Sequence, residues 1–368
     1  MTGTLHIVVL NPGASTVKLA LMEVAGGEVH ERRRLQREWR PGVEAADIID
    51  EALESLTGAP DAFGYRVVHG GADLVAPVTV DAGVERRIAE LVPLAPLHNA
   101  PALTAIRAVR TRHPHLPGVA VFDTAFHADR PAASTGYALP ATLVQRFGFR
   151  RYGFHGIAHA SLVEAAAAVD GVAGEAVSAV TLQLGAGCSA CAVRHGRSIE
   201  TSMGFTPLEG LVMATRCGSV DPAVVLNLVR GGHDADWIED QLTRHSGLLA
   251  LAGTSDMREI LAAEARGEPG ARLALDLFCH RLVLTVGGYL TLLEGQGALV
   301  FGGGIGTHSP QIRRQVAAGL RAWNVSLDEA ANTRNEPGRI SAAGSRAVFA
   351  LRTDEESMIA RAVAEHLS

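Results

Sequence analysis

The sequence predicts an α/β protein made of two similar domains facing each other across a cleft, and three observations carry that expectation. Ile7-Val8-Val9-Leu10 enters the polar turn Asn11-Pro12-Gly13-Ala14-Ser15-Thr16 and leaves through Val17 to Leu21, the signature of strand, turn, strand. Val180 to Val193 repeats it, with Gln183 where Asn11 lies and Gly185-Ala186 where Gly13-Ala14 lie. A chain of 368 residues, 47% hydrophobic with 40 glycines, is long enough for two cores. Chance is the plain alternative to duplication, because β-glycine-β hairpins are common.

Composition narrows the function. A net charge of −6 offers no basic field for nucleic acid. No run of 18 uncharged apolar residues appears, so no membrane partner is expected. The N-terminal Met-Thr-Gly-Thr-Leu-His lacks a basic segment and a cleavage site, and four cysteines in a chain this long point to the reducing cytoplasm. Cys188-Ser-Ala-Cys191 has the CxxC spacing. It falls in an expected strand, however, where residues three apart face opposite sides.

In chain order, Asn11, Ser15, Thr16 and Lys18 are placed to face phosphate oxygens or a metal-bound water. Gly42 to Leu56 has helical spacing. Phe63 to Gly71 reads as a strand carrying Arg66, which either pairs with a structural carboxylate or binds an anionic ligand; the open Gly70-Gly71 end favours the ligand. A helix should run from Ala95 to about His113, with Asn99 as cap and Pro101 in its first turn. The apolar strand Val119 to Phe122 ends at Asp123, either a crevice carboxylate or a cap for the next turn. Arg150 to His159 gathers arginines, histidines and aromatics around two glycines, with His155 able to reach an anion and a helix following from Ala158. Glu200 to Pro222 is a long loop-rich stretch in which Arg216 is set to meet an anion. Ser255 or Asp256 should cap a helix, and a long apolar helix should cover about Ala271 to Leu293. Strand Ala298 to Phe301 enters Gly302-Gly303-Gly304-Ile305-Gly306 before a helix from about Ser309, the pattern of a phosphate or nucleotide cradle. A strand at Ala347 to Leu351 precedes Thr353-Asp354-Glu355-Glu356, where acidic residues suit a helix first turn.

Five ordered segments carry a resemblance over nearly the whole chain: Arg66-Val-Val-His-Gly-Gly71, Leu94-Ala-Pro-Leu-His-Asn99, Phe122-Asp-Thr-Ala-Phe-His127, Arg151-Tyr-Gly-Phe-His-Gly156 and Thr201-Ser-Met-Gly-Phe-Thr-Pro-Leu-Glu-Gly210. In these the chain resembles the acetate kinase family of short-chain carboxylate kinases. The resemblance implies an actin-like fold of two ribonuclease-H-like domains with an interdomain cleft, the first domain being 1–127 plus 357–368 and the second 128–356. It implies ATP-dependent, reversible phosphorylation of acetate to acetyl phosphate, with Mg²⁺ (or Mn²⁺) as cofactor and a homodimer as the assembly. Asn11 and Glu355 would hold the metal and Lys18 would touch nucleotide phosphates. Arg66 and Arg216 would hold the substrate carboxylate and the moving phosphoryl group, His155 would donate to that group, and Asp123 would be the catalytic carboxylate. Gln183, Leu184, Gly185, Ala186 and Gly187 would lie along the phosphates. Asp256, Met257 and Arg258 would surround the adenosine with Gly304, Ile305, Gly306, Thr307 and His308. Val68, Leu97, Phe154 and Pro207 would form the acyl pocket.

The residue types suit the reaction. A carboxylate acceptor is ionised at neutral pH and needs no strong base, whereas phosphoryl transfer needs in-line positioning and neutralised equatorial oxygens. Asp123 is therefore expected to organise metal-bound water or Arg216. Some positions depart from the family: Ala14 replaces a serine, Gln183 a histidine and Ala186 an asparagine, while Thr307 and His308 replace a Glu-Asn pair. Each lost phosphate contact costs about 1–3 kcal/mol, which leaves pyrophosphate as a second donor to consider behind ATP. Propionate or butyrate kinase activity and a non-catalytic nucleotide-binding regulator are the competing readings.

Overall fold

The computed structural model describes residues 3–13, 16–39, 43–56 and 58–368, so Ala14 and Ser15 of the first turn lie outside the described residues. The chain divides into two compact units, one of Met1–Ala128, Phe154–Ser161 and Asp354–Ser368, the other of Asp129–Gly153 and Leu162–Thr353.

In the first unit, β1 (Leu5–Pro12), β2 (Thr16–Ala25) and β3 (Glu28–Glu38) form an antiparallel meander. β4 (Ala62–Val67) and β6 (Gly118–Phe122) continue the sheet in parallel with β1, and the short β5 (Val78–Thr79) closes it in the order β3-β2-β1-β4-β6-β5. Alternation along the strands buries both faces. Val8, Leu10, Phe63 and Tyr65 pack with Ile48, Ile49 and Ile106, while Ile7 and Val9 pack with Ile359, Ala360 and Val363 of helix Glu355–Leu367. β3 has no sequence-level signal because it is charged and exposed, as suits a sheet edge.

The second unit repeats the plan. β7 (Ala179–Leu184), β8 (Cys188–Arg194) and β9 (Arg197–Thr201) form the meander. β10 (Ala298–Gly302) and β12 (Val348–Ala350) run parallel with β7, and β11 (Gly338–Arg339) completes the order β11-β12-β10-β7-β8-β9. Read from the meander outward, the two sheets match strand for strand. Both outer pairings shift register, at Leu21/Met22 and at Ala192/Val193. Both second turns are two-residue left-handed turns, with φ of 60° and 86° at Gly26 and Gly27, and of 50° and 73° at His195 and Gly196. The hairpin echo in the sequence is thus a duplication of the whole sheet.

Helices Ala45–Ser55, Pro96–Arg112 and Pro269–Leu292 form close to where the sequence places them. The last is long and apolar enough to cross a membrane by length and composition, but Ala271, Ala274, Leu275, Phe278, Leu282, Val286 and Leu290 are buried inside its unit. Three local expectations need correction. Asn99 lies inside helix Pro96–Arg112; its Oδ1 accepts from the His69 N–H at 3.0 Å and its Nδ2 donates to the His69 carbonyl at 3.0 Å. A tertiary partner has taken a side chain whose spacing looked like a cap. The glycine run 302–306 forms the end of β10 and the opening turns of helix Gly303–His308, with Pro310–Gly319 following. Finally, residues 154–161 and 354–356 cluster with the first unit, although the sequence reading put 128–356 in the second. The Gly156 N–H donates to the Asp123 carbonyl at 3.0 Å and Ile157 joins the first unit's core, which ties that segment back.

Candidate active site

The first unit gathers four of the candidate residues from the ends of three strands and one helix. Arg66, near the end of β4, donates from Nε and Nη2 to the two oxygens of Asp123 at 3.2 and 2.6 Å, and from Nη1 to Asn11 Oδ1 at 3.1 Å. Asn11 Nδ2 in turn donates to Glu355 at 3.0 Å and to Glu356 at 2.8 Å. Glu355 also stands 3.9 Å from Arg66 Nη2, and Arg34 approaches Glu356 at 3.5 Å. Parallel β1, β4 and β6 end on one edge, so their terminal side chains meet there; Asp354 caps helix Glu355–Leu367 and delivers both glutamates. The first-turn acids therefore do more than suit the helix dipole.

The electrostatics follow from burial. The Asp123 side chain is fully buried, and burial pushes it up to about 6, with Glu355 acting in the same direction and Arg66 opposing. Burial works against the charge on Arg66, but Asp123, Glu355 and Glu356 together hold its pKa above the usual value. The two shifts agree once the charges are counted: three carboxylates share this guanidinium, so Arg66 is over-supplied with counter-charge while Asp123 is under-supplied. Of the two partners the sequence left open for Arg66, the carboxylate is present: Asp123 fills its Nε and Nη2. By the same bonds, the guanidinium that Asp123 organises is that of Arg66.

His155 sits beside this cluster along the backbone. It adopts φ 58°, in the left-handed region, immediately before helix Gly156–Asp170, and its carbonyl accepts from the His159 N–H at 2.9 Å. A β-carbon on Gly156 would lie 2.1 Å from the Asp123 carbonyl oxygen, so only glycine allows His155 and Asp123 to come this close. A strained backbone at such a position is a mark of function. Lys18 faces Asn11 directly across the β1–β2 pairing. Val68 and Phe154 are buried, and the Phe154 carbonyl meets His127 Nε2 at 3.0 Å. Leu97 lies in helix Pro96–Arg112, but its side chain falls outside the described residues.

The second unit holds the rest. Arg216 donates from Nη1 to the Pro207 carbonyl at 3.2 Å and approaches the Met213 sulfur at 3.8 Å. Among the described residues of its unit it has no carboxylate partner, and burial lowers its pKa; a guanidinium remains charged nonetheless. In the β7–β8 turn the Gly185 N–H bonds the Gly187 carbonyl at 3.0 Å, and the Ala186 carbonyl accepts from the Ala214 N–H at 3.1 Å. Gln183 Oε1 accepts from Thr353 Oγ1 at 2.8 Å, while the Leu184 side chain is buried in the core. Asp256 caps helix Met257–Ala265 and pairs with the exposed Arg258, whose hydrogen bond, with the cap, draws its carboxyl down to about 2. Met257 is buried. Gly304 and His308 are exposed and Ile305 partly so; Gly306 is buried, and the Thr307 hydroxyl is spent on the Leu351 carbonyl at 2.9 Å. Burial pushes the Cys188 and Cys191 thiols up to about 12, so both stand as protonated thiols at neutral pH.

Glu356 and Arg34 belong to this cluster and were missed. The doubled acid at 355–356 was a visible signal for Glu356; nothing in the sequence pointed Arg34 toward it. Among the described residues no three His, Cys, Asp or Glu side chains are placed to hold a metal unaided. The donor set nevertheless fits Mg²⁺, which keeps its waters and takes one or two carboxylates beside phosphate oxygens. At 15% side-chain exposure, Glu355 is more accessible than Asp123 or Glu356.

Comparison with known proteins shows the family. The model of the Acetokinase family matches residues 42–361. The chain is 43% identical over 378 aligned residues to the acetate kinase of Micrococcus luteus, covering 96% of this chain and 97% of that one. It superposes on the crystal structure of Porphyromonas gingivalis acetate kinase with a TM-score of 0.87 at 31% identity, covering 99% and 100% of the two chains. A propionate kinase from Francisella tularensis gives a TM-score of 0.86 at 34% identity, covering 97% and 98%. With two α/β units on the actin-like plan and a family match over most of its length, this chain belongs to the acetokinase family.

Proposed function

We propose that the chain is an acetate kinase, transferring the terminal phosphoryl group of ATP to the acetate carboxylate and back. The observation that carries this reading is the buried Asp123 held in two hydrogen bonds by Arg66, with Asn11 and Glu355 closing the cluster. Acetate brings its own nucleophilic oxygen, so the protein's task is to orient it and neutralise charge. Arg66, fixed by Asp123, orients anionic oxygens without rotating, and His155 and Arg216 are assigned to the moving phosphoryl group. Asn11 and Glu355 would hold Mg²⁺, which when bound neutralises phosphate oxygens. Lys18 and the Gln183–Gly187 turn are assigned to the phosphates. Gln183, tethered through Oε1 to Thr353, keeps its amide N–H groups to replace the imidazole donor of the family. Asp256, Met257, Arg258 and the 304–308 segment are assigned to the adenosine, with Thr307 contributing backbone only because its hydroxyl is committed.

A homodimer is part of the proposal. Helix Pro222–Arg230 has no buried residue, and Val224, Leu226 and Val229 stand exposed on it, an apolar surface suited to a second copy. Residence in the cytoplasm is proposed on four unpaired cysteines. The deciding experiment traps acyl phosphate with hydroxylamine, using ATP, Mg²⁺ and acetate, propionate or butyrate in turn. Acetyl hydroxamate as the main product is the expected result. Tight ATP binding without product from any acid would replace the enzyme by a nucleotide-binding regulator.

A further inference from the structure

Residues 202–221 form neither helix nor strand, yet they carry Pro207 and Arg216. What holds so long a segment in one conformation lies within the second unit. Tyr137 donates its hydroxyl hydrogen to Glu209 Oε2 at 2.6 Å, and the same hydroxyl oxygen accepts from the Phe205 N–H at 2.9 Å. The other Glu209 oxygen takes a short hydrogen bond from Arg151 Nη1, while Arg151 Nη2 donates to the Thr201 carbonyl at 3.1 Å. The Tyr152 and Gly153 N–H groups donate to the Gly204 carbonyl at 3.0 and 3.3 Å. Farther on, Gly210 and Ser219 bond each other twice, and the Met213 N–H donates to the Arg216 carbonyl at 3.2 Å. Arg216 itself rests on the Pro207 carbonyl, midway between the Phe205 and Glu209 anchors.

The fit leaves no slack. A β-carbon on Gly204 would lie 1.7 Å from Glu209 Oε2 and 2.4 Å from the Tyr137 hydroxyl, so the carboxylate and phenol close over a bare backbone. Burial, then the bond to Glu209, raises the Tyr137 phenol to about 12, which keeps it a donor throughout the neutral range.

We propose that Tyr137, Glu209 and Arg151 form a latch that positions the Pro207 carbonyl and, through it, the Arg216 guanidinium, and that the latch sets how strictly the acyl group is chosen. The inference rests on the kinase reading of Pro207 and Arg216. These are positioning residues: they act on the reaction only through the segment they hold. With the latch open, Pro207 yields to a larger acyl group and Arg216 loses its resting point, while the nucleotide contacts assigned to other segments keep theirs.

The test compares Tyr137→Phe, Glu209→Gln and the double variant in the full chain, each first checked for a cooperative thermal transition. Misplacement by about 1 Å costs up to about 100-fold, so kcat/KM for acetate should fall about 10-fold in Tyr137→Phe and about 100-fold in Glu209→Gln. The propionate-to-acetate ratio of kcat/KM should rise about 5-fold and KM for ATP stay within about 2-fold. The double variant should be no worse than Glu209→Gln alone, because both changes open one latch. An unchanged acid ratio, a KM for ATP rising in step, or multiplying losses in the double variant would each overturn the latch. If Glu209→Gln does not fold, Tyr137→Phe decides through the acid ratio and the KM for ATP. A wild-type chain that makes no acyl phosphate refutes the kinase reading itself, which the control shows before any variant is scored.

Discussion

Neutralising Asp123 and removing Arg66 should have unequal costs in stability, and the structure says why. At pH 7 the cluster holds the carboxylates of Asp123, Glu355 and Glu356 around the guanidinium of Arg66, with Arg34 shared between Glu356 and Glu31, which leaves an excess of negative charge. Asp123→Asn lowers that excess and leaves Arg66 facing Glu355. Arg66→Gln raises it and strands Asp123, whose side chain is fully buried. Breaking a buried pair so that one charge is left uncompensated costs about 3–5 kcal/mol. Arg66→Gln should lose stability on that scale, whereas Asp123→Asn should lose about 1 kcal/mol or less, the worth of one weakened hydrogen bond. Turnover should nonetheless fall by at least about 100-fold in both, because each frees the group that orients the reacting oxygens. The pH dependence carries the same sign. Asp123 ionises less readily in the folded chain, near 6 against an ordinary value of 3.8, so its contribution to stability is fully present below about 4 and is lost as the pH rises through about 6. Asp123→Asn should flatten that part of the profile. Urea midpoints between pH 4 and 8, read beside hydroxamate formation, give both quantities. Equal stability losses for the two variants at pH 7, or a wild-type profile that rises between pH 4 and 6 and is unchanged in Asp123→Asn, would refute the charge count.

The remaining expectations concern the surrounding shell. Asn11→Ala or Glu355→Gln should raise the Mg²⁺ concentration needed for half-maximal rate by about 10-fold or more, the scale of losing an oriented ligand; a Mg²⁺ titration of initial rate checks this. Gly156→Ala places a methyl group 2.1 Å from the Asp123 carbonyl oxygen. It should destabilise the first unit by about 1–3 kcal/mol and lower kcat by displacing His155, as thermal unfolding and single-turnover rates would report.

Much of this protein was determined by the sequence alone. Apolar runs bounded by glycine turns locate β1, β2, β7 and β8, helical spacing locates Ala45–Ser55, and a long apolar stretch locates Pro269–Leu292, because those patterns report directly what a segment must bury. A buried arginine at 66 and an aspartate ending an apolar strand at 123 were likewise legible as chemistry in search of partners. Which partner each takes was not. Arg66 meets Asp123 across 57 residues and Asn11 meets Glu355 across 344, and no local pattern encodes contacts that exist only once parallel strands end on a common edge. Asn99 shows the limit most plainly. Its spacing is that of a cap, but the backbone of His69, brought beside it by folding, offers both a donor and an acceptor, and a buried amide goes where both are satisfied. Tyr137 and Glu209 became visible only with coordinates for the same reason: hydrogen bonds are short and directional, so the chain's periodicities say where a side chain points, and only the assembled backbone says what it meets.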